Sequence, residues 1–557
     1  MSVCIQYSRP ASAQNEGEVF GFDVAVTNFL RAYFRHSAAP QFLCRPTDIP
    51  SFDHFKQMAE VEGIDVDKRC IGLDPRHPEK NLQSVSCLFR PDPLTIDLIW
   101  RRQQMLGRGY ATCGLVHTMS GERIAQAVGD LCLAPSDGTD ALICPSAAIR
   151  DAVRSLWEIN CDYLNHRFGG KFSCPVQTPV IPLGIDSEKF ARLATPENRA
   201  AQRQALDVAE DEIVILFVGR LSFATKAHPL PMFMAAERAA RQTGRKVRLI
   251  LFGYFKPKDM EPFFRNFAAD IGKTVKIEFV MNDDPRFPDG LWAAADIFTS
   301  LSDNVQESFG LTPIEAMACG LPSVITDWDG YREGVRNGSE GFLVPVMTPP
   351  PAAGMDIARL YYNEANYGIA LAGTAQSTSV DIEWCAKSYA VLISNDELRR
   401  TFGANGKVRA RDVFDWRHII RAYDALWKSL AEQRAAHPPA KTLPDHWQAM
   451  HPAFPNPWQM FKSFPTTHLA PTDILRVELD GEEIDMLLSH GINYFVPGLL
   501  LSQEQLLELI AVIRRAGAAR IQDILAAFPA NGHDVLWRCF GWMLKHGICS
   551  VERPAAS

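Results

Sequence analysis

The chain has no excess of positive charge, no paired cysteine spacing and no long apolar run. Its 57 Lys and Arg are outnumbered by 65 Asp and Glu, a formal net charge of -8. A general nucleic-acid binder would carry a basic footprint, so nucleic acid is not an expected partner. The 13 cysteines are odd in number and scattered, with no CxxC pair. That argues against a zinc module or a disulfide framework and suits reduced thiols in a cytosol. No stretch stays apolar for the ~18 residues that a membrane span needs. The start, MSVCIQYSRPASAQ, lacks the basic residues and apolar run of a secretory leader. The expectation is a soluble, cytoplasmic protein with no transmembrane segment.

What is present is a large apolar fraction, 47% of 557 residues. Length alone suggests roughly three to four domains. Residues 1–185 alternate short apolar runs with helical patterns. The runs are VCIQY, QFLCR, ATCGLVHT, DALICPS and PVIPLGI, and FDVAVTNFLRAYFRH is one of the helices. Such alternation predicts a parallel α/β sheet. The pattern restarts with EIVILFVG, VRLILFG, VKIEFV, DIFTSLS, PSVIT and GFLVPV. Nearly continuous apolar runs are how parallel strands buried on both faces read. A second α/β domain is therefore expected over 186–436, closed by the helix DWRHIIRAYDALWKSLAEQRAA. Residues 347–380 read as an insertion, and 437–475 as a proline-rich linker. The remainder, 476–557, reads as three helices followed by a strand, a winged-helix-like module. Over 500–552 its five basic and five acidic side chains balance. Little there would grip phosphates, so a protein partner is the expected ligand of this module.

The chemistry concentrates around ESFGLTPIEAMACGLPSVIT, residues 307–326. Glu307 lies just beyond the C-terminal end of a predicted parallel strand, where open α/β sheets bind ligands. The chain then turns at Gly310. Thr312 as N-cap and Pro313 in the first turn would start a short helix ending near Cys319. The amides of Leu311 and Thr312 would face outward at its N-terminus, a ready anion site. Thr312 and Glu315 also have capping-box spacing, so Glu315 has a purely structural alternative. In FVGRLSFATKAHP, Gly219 ends a buried strand, Arg220 sits in the turn and Lys226 follows. Arg grips phosphate oxygens bidentately, and Lys acts as a point charge. Both are expected on the same sheet edge as Glu307.

These segments resemble the retaining GT-B glycosyltransferases of family 4, the glycogen-synthase-like group. The resemblance rests on GRL…TK, DIFTSLSDN, ESFGLTPIE, GLPSVIT and GFLVP, with VIPLGID as the hinge into the nucleotide domain. It covers about residues 110–430. It implies two Rossmann-like domains facing a cleft, and a nucleoside-diphosphate sugar as donor substrate, with no cofactor and no metal. By the resemblance, Arg220 and Lys226 neutralise the diphosphate and Glu307 accepts from the sugar hydroxyls. Amides of Phe309, Gly310, Leu311 and Thr312 hold sugar and phosphate, and Glu315 takes the ribose hydroxyls. His117 matches the histidine near the transferred sugar, with a core histidine as its alternative. The acceptor is not identifiable, because the family's Gly-Gly turn after the first strand is replaced by SRPASAQNEGEVFGFD.

Three rival functions remain open on the sequence. One is a metal-dependent transferase using an Asp-x-Asp, for which Asp65-Val66-Asp67 and Asp327-Trp328-Asp329 are the two matches. Another is an epimerase or hydrolase on the same fold. The third is a non-catalytic sugar-nucleotide sensor.

Overall fold

In a computed structural model, residues 2–10, 21–73, 82–103, 109–360, 367–437, 449–493, 496 and 498–553 are described. They form two compact units, 1–453 and 454–557.

The first unit holds two six-stranded sheets. The strands of the first are β1 (Val3–Tyr7), β2 (Phe42–Pro46), β3 (Cys70–Gly72), β4 (Cys87–Arg90), β5 (Ala111–Leu115) and β6 (Ala141–Ile143). They are parallel, in the order β3-β2-β1-β4-β5-β6. The second sheet has β7 (Ile213–Leu221), β8 (Val247–Phe255), β9 (Lys276–Met281), β10 (Ile297–Ser300), β11 (Ser323–Thr326) and β12 (Gly341–Val344). It is also parallel, in the order β12-β11-β10-β7-β8-β9. Each order reverses between its first and fourth strands, the doubly wound arrangement that opens a crevice at the carboxyl ends there. The expected pair of Rossmann-like α/β domains is therefore present.

The sequence reading needs correction in four places. It missed β3 and β4, whose three- and four-residue runs fall below the length at which an apolar stretch stands out. PVIPLGI is not a strand. It makes only single bridges, Cys144 to Val180 and Ile185 to Asp415, because Pro179 and Pro182 have no N–H for a ladder.

The third correction concerns the long closing helix. Six helices matter below: α1 (Gly21–His36), α2 (Glu122–Gly129), α3 (Ala147–Phe168), α4 (Leu311–Ala318), α5 (Tyr367–Gln376) and α6 (Trp416–Ala436). The reading gave α6 to the second domain. Instead its buried Trp416, Ile420, Tyr423, Trp427 and Leu430 share one core with Ile5, Phe29, Tyr33 and Phe89 of the first. The 3.6-residue stripe announced a buried face but not its partner. The Trp427 ring stands edge-on to Tyr33 at 5.7 Å. At the far end of α6, Arg434 donates to Asp137 at 2.8 Å. Beside that contact the fully buried Arg102 grips both oxygens of Asp140 at 2.5 and 2.8 Å. The two strands of chain that cross between the domains lie side by side: Ile185 N–H donates to Phe414 O, and Trp416 N–H to Ile185 O.

The fourth concerns the C-terminal unit, which is more than three helices and a strand. Its antiparallel sheet runs Ala519–Arg520, Ile474–Val477, Cys549–Glu552 across. Four helices, Gly481–Ser489, Gln503–Arg515, Ile521–Ala526 and His533–Lys545, cover an apolar core built on Leu475, Leu509, Ile513 and Phe540. Ser502 and Gln505 form a capping box at the start of the helix Gln503–Arg515. Residues 438–448 of the expected linker lie outside the described residues, and the unit itself begins at Phe454.

Because α6 covers the first sheet, Trp427→Ala should open a cavity there and destabilise the protein by about 3–5 kcal/mol. Denaturant unfolding of the variant against the native chain measures it. A loss below about 1 kcal/mol would mean that α6 is not a core element.

Candidate donor site

The site is built at the carboxyl ends of β7 and β10, which are hydrogen-bonded neighbours. Two loops leave there, and their backbones are pinned together. Ser302 Oγ donates to Lys226 O, Asn304 Nδ2 to Ala224 O at 2.8 Å, and His228 N–H to Asp303 Oδ2 at 3.1 Å. Burial raises the Asp303 carboxyl to about 7, and its Oδ1 is buried without a partner. Near the loop start β7 and β8 come close, and a Cβ at Gly253 would lie 1.8 Å from the carbonyl oxygen of Gly219. The glycine pair lets the two strand ends converge just before Arg220.

This pinning brings together three of the charged residues singled out from the sequence. Lys226 Nζ forms a buried ion pair with Glu307 Oε2. Tyr331 Oη donates to the same oxygen at 3.2 Å and meets Ser300 Oγ at 2.8 Å. Burial alone would push the Lys226 ammonium down, but the Glu307 carboxylate outweighs it and the net shift is upward. Burial would raise Glu307, and Lys226 reverses that too, so its carboxyl is held below the usual range. Both groups are thus charged at neutral pH. Arg220 lies beside them, its Nη2 donating to Thr225 O at 2.9 Å and to Gln306 Oε1 at 2.7 Å, while its Nε is buried without a partner.

Helix α4 follows, and here the expected cap is wrong. Gly310, not Thr312, is the N-cap, and no side chain caps the helix. Gly310 has φ +87°, and a Cβ there would lie 2.0 Å from the Tyr331 ring. Only glycine fits that left-handed, crowded position. With Gly310 as cap, Thr312 falls inside the first turn, so the Thr312–Glu315 capping box does not form. Thr312 Oγ1 is buried without a partner. The amides of Leu311 and Thr312 are left uncapped at a helix N-terminus, the positive end of its dipole. Phe309, fully buried, anchors the turn against Phe414. Glu315, one turn along, is largely buried, and that burial raises its carboxyl to about 7.

His117 lies two residues beyond β5, on the first domain. Its Nε2 donates to Pro91 O at 2.8 Å, and burial lowers its pKa, so it is neutral at pH 7. Three residues on, Ser120 Oγ meets Tyr367 Oη at 2.9 Å. Tyr367 starts α5 in the insertion, and Gln306 Nε2 donates to its hydroxyl at 3.1 Å. The insertion thus bridges both domains. Sequence reasoning missed Gln306, Tyr331 and Tyr367. None falls in a motif, and each matters only through a tertiary contact.

The two Asp-x-Asp candidates have other roles. Asp65 caps a short helix through Lys68 N–H. Asp327 pairs with Arg332, and Asp329, at φ +44°, accepts from Ser146 Oγ at 2.9 Å. Among the described residues no group of three His, Cys, Asp or Glu is placed to hold a metal ion. No described helix is long and apolar enough to cross a membrane. The expected acceptor turn, 8–23, falls mostly on residues outside the description.

The chain is similar to known proteins over part of its length. Residues 198–365 match the family "Glycosyl transferases group 1". The D-inositol 3-phosphate glycosyltransferase of Geodermatophilus obscurus is 35% identical over 270 residues, 47% of this chain and 49% of that one. The Actinosynnema mirum protein of the same name is 26% identical over 368 residues, 62% of this chain and 84% of that one. The chain spans about half the length of the first of these relatives. Among solved structures, Anabaena HepE in complex with UDP and glucose aligns at TM-score 0.48 and 18% identity, covering 77% of this chain and 100% of that one. Sucrose-phosphate synthase from Thermosynechococcus elongatus aligns at 0.47 and 18%, covering 78% and 99%. Residues 198–365 thus match the glycosyl transferases group 1 family, within a unit that holds two parallel, doubly wound α/β sheets.

Proposed function

We propose that the chain is a retaining, metal-independent glycosyltransferase that moves a sugar from a nucleoside-diphosphate sugar to an acceptor hydroxyl. The observation that carries this is the buried Lys226–Glu307 pair, set beside Arg220 and the uncapped N-terminus of α4. A diphosphate needs cations and amides, a sugar needs hydrogen-bond acceptors for its hydroxyls, and here the two sets lie together beyond the carboxyl ends of β7 and β10. The group 1 domain supports the same assignment.

In this account the free site stores its charges against each other. Donor binding splits the pair. The diphosphate takes Lys226, Arg220 and the amides of Leu311 and Thr312, and the sugar hydroxyls take Glu307. Charge grows on the leaving phosphate as the glycosidic bond breaks, and preset cations and amides stabilise it without reorganising. Glu315 receives the ribose hydroxyls. His117, neutral and fixed by Pro91, stands at the first domain's strand ends as a hydrogen-bonding group for the transferred sugar. The leaving phosphate takes the acceptor proton on the same face, which gives retention. A sugar nucleotide carrying radiolabel in the sugar, incubated with candidate acceptors, tests the assignment. Label in a new glycoside supports transfer, and label released only as free sugar would make it a hydrolase.

Arg220→Ala and Lys226→Ala should each weaken nucleoside-diphosphate binding by about 1.5–3 kcal/mol, the scale of a hydrogen bond to a charged group. Glu307→Gln removes the competing carboxylate from Lys226. It should lower turnover strongly while leaving nucleoside-diphosphate affinity equal to or tighter than the native value. Calorimetry and turnover on the three variants check both statements. Unchanged affinity in both alanine variants would overturn the donor assignment.

Glu315 supplies a pH test. Its carboxyl sits at about 7 in the folded protein against 4.5 unfolded. The folded state therefore holds its proton more tightly, and that stabilising contribution is lost as pH rises through about 7. Glu315→Gln should be more stable than the native chain at about pH 8.5, by on the order of 1–3 kcal/mol, with the gap closing below about pH 4.5. Asp303 and Asp329, also raised to about 7 by burial, keep a residual slope of the same sign. The same variant should bind nucleoside diphosphate less tightly. Denaturant midpoints at the two pH values measure the first effect, and calorimetry the second.

A further inference from the structure

The donor residues do not line the roomy cavity that opens between the two domains. That cavity has a volume of about 1010 Å³. It lies between the two domains, and its wall from the first domain is α2 and α3. Ala148, Ala152 and Leu156 recur at four-residue steps along α3 and so form one stripe facing inward. Val305 and Trp328 face them from the second domain, on the same loops that carry Glu307 and Asp329. The insertion adds Ala358 and Thr374. This small and apolar stripe shares the lining with polar groups, Glu122, Gln126, Asp130, Asn160 and Arg332 among them, around a space at the upper end of the usual ligand range, ~300–1,000 Å³.

One set of its polar groups is organised. Ser120 lines the cavity and bonds Tyr367, which bonds Gln306, which accepts from Arg220. A continuous chain of side chains therefore joins the cavity to the phosphate-site arginine. Asp329 lines the same cavity and is fixed by Ser146. A molecule in the cavity would thus have its polar end at the donor side and its body along α3.

We propose that this cavity binds the acceptor, and that the acceptor is amphipathic: a hydroxyl-bearing polar head carried on an extended apolar body. The inference rests on the donor assignment above. It goes beyond it in giving the acceptor's chemical class and in making Ala358 and Thr374 of the insertion part of its binding site. A purely polar acceptor would leave the Ala148–Leu156 stripe and Trp328 facing water. An apolar body covers them, and that burial is the source of its affinity.

The test uses the full chain and two probes, octyl β-glucoside below its micelle concentration and methyl β-glucoside. Calorimetry should show the native protein binding the octyl compound about tenfold or more tightly than the methyl one. Ala152 is exposed on α3, so Ala152→Trp narrows the cavity without entering the core. It should erase the octyl preference and leave nucleoside-diphosphate affinity within about twofold. Ala148→Leu should act in the same direction, and an unchanged melting temperature shows that each variant folds. An octyl preference absent in the native chain, or unchanged in both folded variants, overturns the inference. A titration of the native chain with UDP, GDP and ADP separates the two claims. If none binds, the donor assignment fails. If one binds and the alkyl preference is missing, only the acceptor inference fails.

Discussion

Everything in the proposed donor site depends on β7 and β10 being neighbours. Their adjacency is the reversal point of a 3-2-1-4-5-6 sheet order. It lets the loop after one strand lie against the loop after the other, and three hydrogen bonds between side chains and backbone fix that register. Lys226 and Glu307, 81 positions apart, then fall into one buried ion pair. Such a pair gains little net stability over apolar packing, while removing either partner strands the other's charge. Retaining it makes physical sense when a ligand replaces both halves at once, an anion for Glu307 and hydroxyls for Lys226.

The second constraint is how the two domains are tied. The chain leaves the first domain near Ile185 and returns near Asp415, and the two crossings are bonded to each other. Helix α6 then packs its aromatic face on the first sheet, so the domains share a double connection at one end. At the other end polar contacts join them: Ser146 with Asp329, Glu333 with the Ala147 amide, and Tyr367 with Ser120. Small polar contacts around a large cavity can exchange with ligands at low cost, while the core around Trp427 cannot. The geometry thus favours opening at the end held by these polar contacts and rigidity at the crossing.

Much of this was legible in the sequence, for identifiable reasons. The strands of the second sheet are buried on both faces and read as unbroken apolar runs, so all six were found. The first sheet hides β3 and β4 because three or four residues carry no period. Arg220, Lys226 and Glu307 were visible because each sits at a strand end, where side chains at sheet edges acquire chemistry. Gly310 as cap was not, since Thr312 offers a better local cap. The Tyr331 ring decided the matter by demanding a residue without a side chain at Gly310 and a sharp turn there. Nor could the partner of α6 be read, because an amphipathic stripe is silent about which sheet it covers. Tyr331, Gln306 and Tyr367 were invisible for the same reason: their roles exist only after folding.

The central claim is that donor binding divides the Lys226–Glu307 pair. A double-mutant cycle of Lys226→Met and Glu307→Gln, read by denaturant unfolding, measures the coupling between them with and without saturating nucleoside diphosphate. The account predicts a coupling above about 1 kcal/mol in the free protein that falls toward zero when the diphosphate takes Lys226. An equal coupling in the two states would show that the pair stays intact on binding, and that the diphosphate is held elsewhere.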